Sequence, residues 1–194
     1  MKNILLFLFL VLFQYSCASI SHFNHESIKC PPFYGQSIQH KINVNTFDYN
    51  PPGNGSIGQN EITITGNLPA LLNGYSSQLF DSKISKSVSI EIEKALQASG
   101  IAITKESKCK LSGEIFLINF SVADADTTCD IKYILKNAKE ENIFEARLKV
   151  KHEPGIIAFG TIDQLLSISI HKNVYKLLSM NTFIEALSKC DCNK

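Results

Sequence analysis

The stretch Asn142-Ile143-Phe144-Glu145-Ala146-Arg147-Leu148-Lys149-Val150-Lys151-His152 decides the fold. Phe144, Ala146, Leu148 and Val150 alternate with Glu145, Arg147, Lys149 and Lys151, the period of two that sets one face of a β-strand in a core and the other in water. Upstream, Cys129 to Lys136 alternates in the same way through Ile131, Tyr133 and Leu135. Before that, Lys110 to Val122 is apolar on both faces, with Phe116, Ile118 and Phe120 on one and Leu111, Ile115 and Leu117 on the other. Such a strand is covered on at least part of both sides and is therefore central. With Ala123 to Thr128 read as a turn, the three strands in succession predict an antiparallel meander.

Working outward, Ser37 to Val44 alternates Ile38, His40, Ile42 and Val44, and Glu61 to Gly66 places Ile62 and Ile64 on one face, so both read as short strands. Between them, Tyr49 to Gln59 carries two prolines and three glycines and reads as a loop. Over Asp81 to Ser99 the period changes: Ile84, Val88, Ile92, Ala95, Leu96 and Ser99 fall at helical spacing, with Lys83, Lys86, Glu91, Glu93 and Lys94 elsewhere. Asp81 or Ser82 can cap the start of that helix and Gly100 its end, and Ile101 and Ile103 make a strand after it. Beyond the Glu153-Pro154-Gly155 turn and a Gly160-Thr161 cap, Ile162, Leu165, Leu166, Ile170, Val174, Leu177 and Leu178 set a second helix. Asn181-Thr182 interrupts it before a short third, Phe183 to Lys189. The order predicts an α+β fold: a largely antiparallel sheet with two main helices packed on one face.

Composition narrows the function classes. The chain has 194 residues, 44% of them hydrophobic, enough for one real core. With 19 basic against 18 acidic residues there is no basic field, which argues against nucleic-acid binding. No apolar run reaches the roughly 18 residues that a spanning helix needs.

Residues 1–16 have the layout of a secretory signal peptide: Lys2 supplies the positive start, Ile4 to Phe13 is unbroken apolar sequence, and small residues follow. Gln14-Tyr15-Ser16-Cys17 resembles the lipoprotein box of bacteria, in which the cysteine is acylated and becomes the first mature residue. That resemblance implies lipid attachment at Cys17, a palmitate-type anchor, and a lipid-attached tether and linker over 17–36 ahead of a single domain over 37–194. The alternative is cleavage after Ala18, since Ser16-Cys17-Ala18 fits the small-x-small rule. Ala18, rather than Asp, after the cysteine resembles the outer-membrane sorting preference of enterobacterial lipoproteins. Lys2 is the only charge in 1–16, so the exported part is neutral, with 18 acidic groups matched by as many basic ones.

Five further cysteines, Cys30, Cys109, Cys129, Cys190 and Cys192, fit disulfides in an oxidising compartment, with one thiol left over. With the meander turning near Asp124 to Asp126, Cys129 sits beside Ser121 while Cys109 lies at the far end, about 40 Å away at about 3.3 Å per residue. Cys109 and Cys129 are then too far apart to pair, and Cys109 with Cys190 or Cys192 is favoured. Cys190-Asp191-Cys192 lacks the spacing of a zinc site, and neither a metal nor a cofactor is expected.

The order of elements, together with Ala95-Leu96-Gln97-Ala98-Ser99-Gly100-Ile101, Leu111-Ser112-Gly113-Glu114-Ile115 and Phe183-Ile184-Glu185-Ala186-Leu187, resembles the YajG-type lipoproteins. It is also similar to the auxiliary lipoproteins of envelope lipid-transport ABC systems. The resemblance implies a periplasmic domain anchored to the outer membrane by its N-terminal lipid, docking on an envelope protein partner and performing no catalysis.

Other chemistry is weaker. Asp124-Ala125-Asp126-Thr127-Thr128 spells the nucleophile string of haloacid-dehalogenase-type phosphatases, but that fold needs alternating βα units downstream, and a solvated hairpin turn is the simpler reading. His152 reads as the inward end of its strand, and His22 and His25 as solvated tether residues. The Asn54-Gly55-Ser56 and Asn119-Phe120-Ser121 triplets matter only in a eukaryotic secretory protein. A second functional class is a secreted ligand-binding or adhesin-like domain using the Tyr49 to Gln59 loop with Phe47 and Tyr49 exposed.

Overall fold

The computed structural model describes residues 40–50, 61–65, 76–80, 83–121, 123–124, 126–153 and 162–191. The strands are β1 (Lys41–Val44), β2 (Asp48–Tyr49), β3 (Glu61–Thr65), β4 (Ser76–Leu79), β5 (Ala102–Ile103), β6 (Lys110–Ser121), β7 (Asp126–Lys136) and β8 (Asn142–His152). The helices are α1 (Ile84–Ala98), α2 (Ile162–Leu178) and α3 (Asn181–Asp191). The fold is α+β.

β6, β7 and β8 form the expected antiparallel meander, in register from Lys110↔Lys136 to Ser121↔Asp126 and from Lys136↔Asn142 to Thr127↔His152. The other edge of β6 is filled end to end by three short strands running parallel to it. β1 meets Lys110 and Leu111, β2 meets Glu114 and Ile115, and β3 meets Asn119 to Ser121. β5 adds in parallel outside β1, and β4 antiparallel outside β3. The sheet is thus mixed, antiparallel through its long strands and parallel along one side of β6.

Two details of β6 differ from the sequence expectation. Ile115 pairs with Ile131 but Leu117 with Asp130, so Phe116 is an extra residue, a β-bulge. The bulge switches the parity of the strand. Leu111, Gly113 and Ile115 before it and Ile118 and Phe120 after it face the helices, opposite Leu135, Tyr133, Ile131, Cys129 and Thr127. Phe116 and Leu117 are turned to the other face. The second difference is at the turn: Asp126 to Thr128 belong to β7, so Cys129 lies opposite Ile118, and it is Asp126 that lies opposite Ser121.

All three helices cover one face of the sheet. Ile84, Val88, Ile92, Ala95 and Leu96 of α1 are buried, and Ser89 Oγ accepts the Phe47 amide at 3.0 Å, tying α1 to the chain between β1 and β2. The start of α1 is at Lys83, which offers no side-chain cap, in place of the expected cap at Asp81 or Ser82, which lie outside the described residues. Its end is a Schellman turn: Gly100 has φ 87°, its amide donates to Gln97 O at 2.9 Å, and the Ile101 amide donates to Leu96 O at 3.1 Å. α2 lies over β7 and β8 and ends before Ser179-Met180, so the helix break falls there, and Asn181 and Thr182 already belong to α3. α3 docks Phe183 edge-on against Phe144 of β8 at 5.1 Å.

Gly113 allows this packing. A Cβ there would stand 1.8 Å from Lys132 O and 2.6 Å from Phe47 Cε1, and Phe47 in turn lies edge-on to Tyr133 at 5.6 Å.

Candidate functional site

Cys109, immediately before β6, and Cys190, near the end of α3, form a disulfide with their Cα atoms 5.7 Å apart. The bridge lies where β1 joins the sheet, since the Asn43 amide donates to Cys109 O at 2.8 Å. Cys129 is a free thiol buried in β7. Its Sγ meets Ser169 O at 3.3 Å, Ser169 Oγ at 3.4 Å and Asn173 Nδ2 at 3.4 Å. Burial pushes that thiol up to about 11, so at neutral pH it is no nucleophile. Cys17, Cys30 and Cys192 lie outside the described residues, as do the signal segment, the tether histidines His22 and His25, and Asn54.

Around Cys129 the α2–sheet contact is a polar seam. Thr127 Oγ1 donates to Leu165 O at 3.2 Å, and Asn173 Nδ2 donates to Leu148 O at 2.8 Å. At its end His152 faces inward, as expected, and its Nδ1 accepts from Lys172 Nζ at 2.8 Å. Desolvation first, and the Lys172 charge second, hold His152 below the ordinary histidine range.

A second buried pair joins the two main helices: Glu91 Oε2 of α1 lies 3.0 Å from His171 Nε2 of α2, both nearly inaccessible. Lys94 Nζ reaches the other Glu91 oxygen at 3.3 Å. Sequence reasoning placed Glu91 on the solvent side. Its spacing, seven residues after Ile84 and three after Val88, was the signal that it shares their stripe.

Asp124 and Asp126 do not form a phosphatase nucleophile pair. Asp124 accepts from Ser121 Oγ at 3.3 Å at the exposed turn, whereas Asp126 is a buried β7 residue held by Lys151 Nζ at 2.7 Å. β7 continues into an antiparallel hairpin, not into a βα unit. The solvated-turn reading thus holds for Asp124 and is corrected for Asp126.

Asp126 heads a ladder of charges on the helix-free face. Asp130 takes a two-pronged bond from Arg147, Nε and Nη2 each at 2.8 Å, and the guanidinium lies 3.9 Å from the Phe116 ring centre. Lys132 pairs with Glu145 at 2.9 Å, and Lys110 with Glu140. These bonds raise the proton affinity of Lys132, Arg147 and Lys151 above the ordinary values. Asn119, in mid-strand, donates to Thr65 Oγ1 at 3.3 Å, so its side chain is committed within the sheet.

Phe47 and Tyr49 are not exposed. Both are buried, and the Tyr49 hydroxyl donates to Glu61 O at 2.9 Å, which corrects the reading in which they meet a ligand; 51–60 lie outside the described residues. Among the described residues there is no group of three or more His, Cys, Asp or Glu able to hold a metal ion, and no helix long and apolar enough to cross a membrane.

No family model matches the sequence, and no curated protein matches it. Solved structures do share its fold. The chain is similar in structure to a DUF330 protein from Xanthomonas campestris. That likeness has a TM-score of 0.63 at 10% identity and covers 88% of this chain and 99% of the other. A second, described as an uncharacterized protein, has a TM-score of 0.53 at 9% identity over 71% of this chain and 89% of the other. At these identities the likeness is one of fold.

Proposed function

We propose that the chain is an exported bacterial envelope lipoprotein, held to a membrane by a lipid on Cys17, whose folded domain docks on an envelope partner and carries out no catalysis. The observation that carries this reading is the Cys109–Cys190 disulfide. Such a bridge persists in oxidising compartments and is rare in the cytosol. It agrees with the signal-peptide layout of residues 1–16. The interior polar groups support the non-catalytic part: Cys129, Glu91, His171 and Asp126 are each buried and engaged in holding elements together.

The finer reading is an accessory component of a lipid or solute transport system, on the periplasmic face of the outer membrane. Ala18 after the acylated cysteine supports that address. The element order, similar to YajG-type proteins and to auxiliary lipoproteins of transport ABC systems, supports that role.

Fractionation tests the anchor. Wild-type protein is expected to stay with membranes through a high-salt wash, and Cys17→Ser protein to be lost from them, because one set of acyl chains supplies the attachment. Retention of the Cys17→Ser protein after the wash contradicts the reading.

A further inference from the structure

β8 closes one side of the sheet, and among the described residues no strand pairs with its outer edge. The direction of its backbone groups follows from hydrogen bonds on the far side of β6. The Asn43 and Asn45 amides donate to Cys109 O and Leu111 O, each at 2.8 Å, so these residues face β1, and Lys110, Ser112 and Glu114 face β7. Their partners Lys136, Ile134 and Lys132 face back, which turns Leu135, Tyr133 and Ile131 toward Phe144, Ala146 and Leu148 of β8. The backbone groups of Glu145, Arg147, Lys149 and Lys151 therefore point out of the sheet. All four residues are exposed, and Lys149 O takes Lys176 Nζ at 3.3 Å from that outer side.

An edge of this kind is a template for a further strand, and the charges along it decide which strand fits. Two copies of β8 can pair antiparallel about a two-fold axis, outward residues opposite outward residues. Centred on Glu145, Arg147 or Lys149, such a pair sets that charge against itself, and centred on Leu148 it sets Arg147 against Lys149 twice. Centred on Ala146, it sets Glu145 opposite Arg147 of the second copy, twice over by symmetry, and Lys149 opposite Ile143. From Glu145 to Lys149 this is the one centre with no like-charge pair. Both partners have atoms to give: Arg147 spends Nε and Nη2 on Asp130, which leaves Nη1, and Glu145 spends Oε1 on Lys132, which leaves Oε2. On the helix side the same centre sets half-buried Ala146 against its own copy, and Phe144 against Leu148.

We propose that β8 is a self-association edge: two copies of this chain pair through it, antiparallel, with the two-fold axis at Ala146. The two sheets then run on as one. Glu145 and Arg147 of opposite copies exchange backbone hydrogen bonds and their side chains pair, while Lys149 and Lys151 make the slipped registers repulsive. The proposal goes beyond the lipoprotein reading and does not depend on it.

The test uses the full chain purified in detergent, its mass read by sedimentation with the micelle density-matched. The expected result is the mass of two chains. Glu145→Lys sets like charges opposite Arg147 on both sides of the axis and is expected to raise the dissociation constant about ten-fold or more, with the thermal midpoint of the dilute protein showing that the fold is kept. Ala146→Cys checks the register. The Cα atoms of a pair at this position stand about 4.5 Å apart, within disulfide reach, so mild oxidation is expected to link the chains through position 146, as read by peptide mass against wild-type protein. In Lys149→Cys protein the introduced positions lie about 20 Å apart and are expected not to link. A one-chain mass at roughly 100 μM, where a pair with a Kd of about 1 μM is nearly saturated, overturns the proposal. So does a two-chain mass that Glu145→Lys leaves unchanged, or linkage through position 149 in place of 146.

Discussion

Cys109 and Cys190, 81 residues apart in sequence, are joined by a disulfide that ties the head of the central strand to the last helix. In the chain-entropy view, closing a loop of that length in the unfolded state stabilises the fold by about 2–5 kcal/mol. The Cys109→Ser/Cys190→Ser protein is expected to lose that amount in urea unfolding. Reductant is expected to lower the midpoint of the wild-type protein and leave that of the double variant closer to unchanged.

Gly113 is expected to tolerate no side chain. Its Cβ would fall 1.8 Å from a backbone oxygen of β7, which cannot move without breaking the meander. Gly113→Ala is expected to cost about 3 kcal/mol or more, read as a fall in the thermal midpoint or as loss of folded protein. The neighbouring Ser112→Ala, on the half-buried outer face, is the control and is expected to change stability little.

Glu91 and His171 are suited to a double-mutant cycle. Glu91→Leu or His171→Leu leaves the other buried group without this partner, at a cost of about 3–5 kcal/mol each. The double variant is expected to be less destabilised than the two single effects combined.

His152 gives the stability an acid-side slope. Its folded proton affinity is lowered by burial and by Lys172, so the unfolded chain binds the proton first as the pH falls. Its contribution is complete above the ordinary value of 6.5 and is lost as the pH falls through the lowered folded value. His152→Gln is expected to flatten the stability profile just below pH 6.5, as measured by urea midpoints across that window.

These positions also mark how much of the fold was legible in the sequence. β8 was read to the residue because one of its faces is core and the other bears charge, and α1 and α2 were legible from their apolar stripes. The bulge at Phe116 was not, because one extra residue reverses the facing of all that follow and leaves no mark in a strand apolar on both sides. The parallel pairing of β1, β2 and β3 with β6 was also hidden, since contacts distant in sequence leave no local period. Asp126 to Thr128, turn formers by type, were drawn into β7 by partners a sequence window does not contain: Lys151 for Asp126 and the Leu165 carbonyl for Thr127. Phe47 and Tyr49, set beside a loop by composition, were buried by Gly113, Tyr133 and the edge of β6. Of the candidate site, the Cys109–Cys190 bridge was within reach of strand arithmetic, whereas the Glu91–His171 pair depends on how two helices lie side by side.

The most direct test of an envelope lipoprotein is the mass of the N-terminal peptide of the mature protein extracted from membranes. A peptide that begins at Cys17 and carries acyl chains is the predicted result. An unmodified peptide beginning at Met1 or at Ser19 would contradict it.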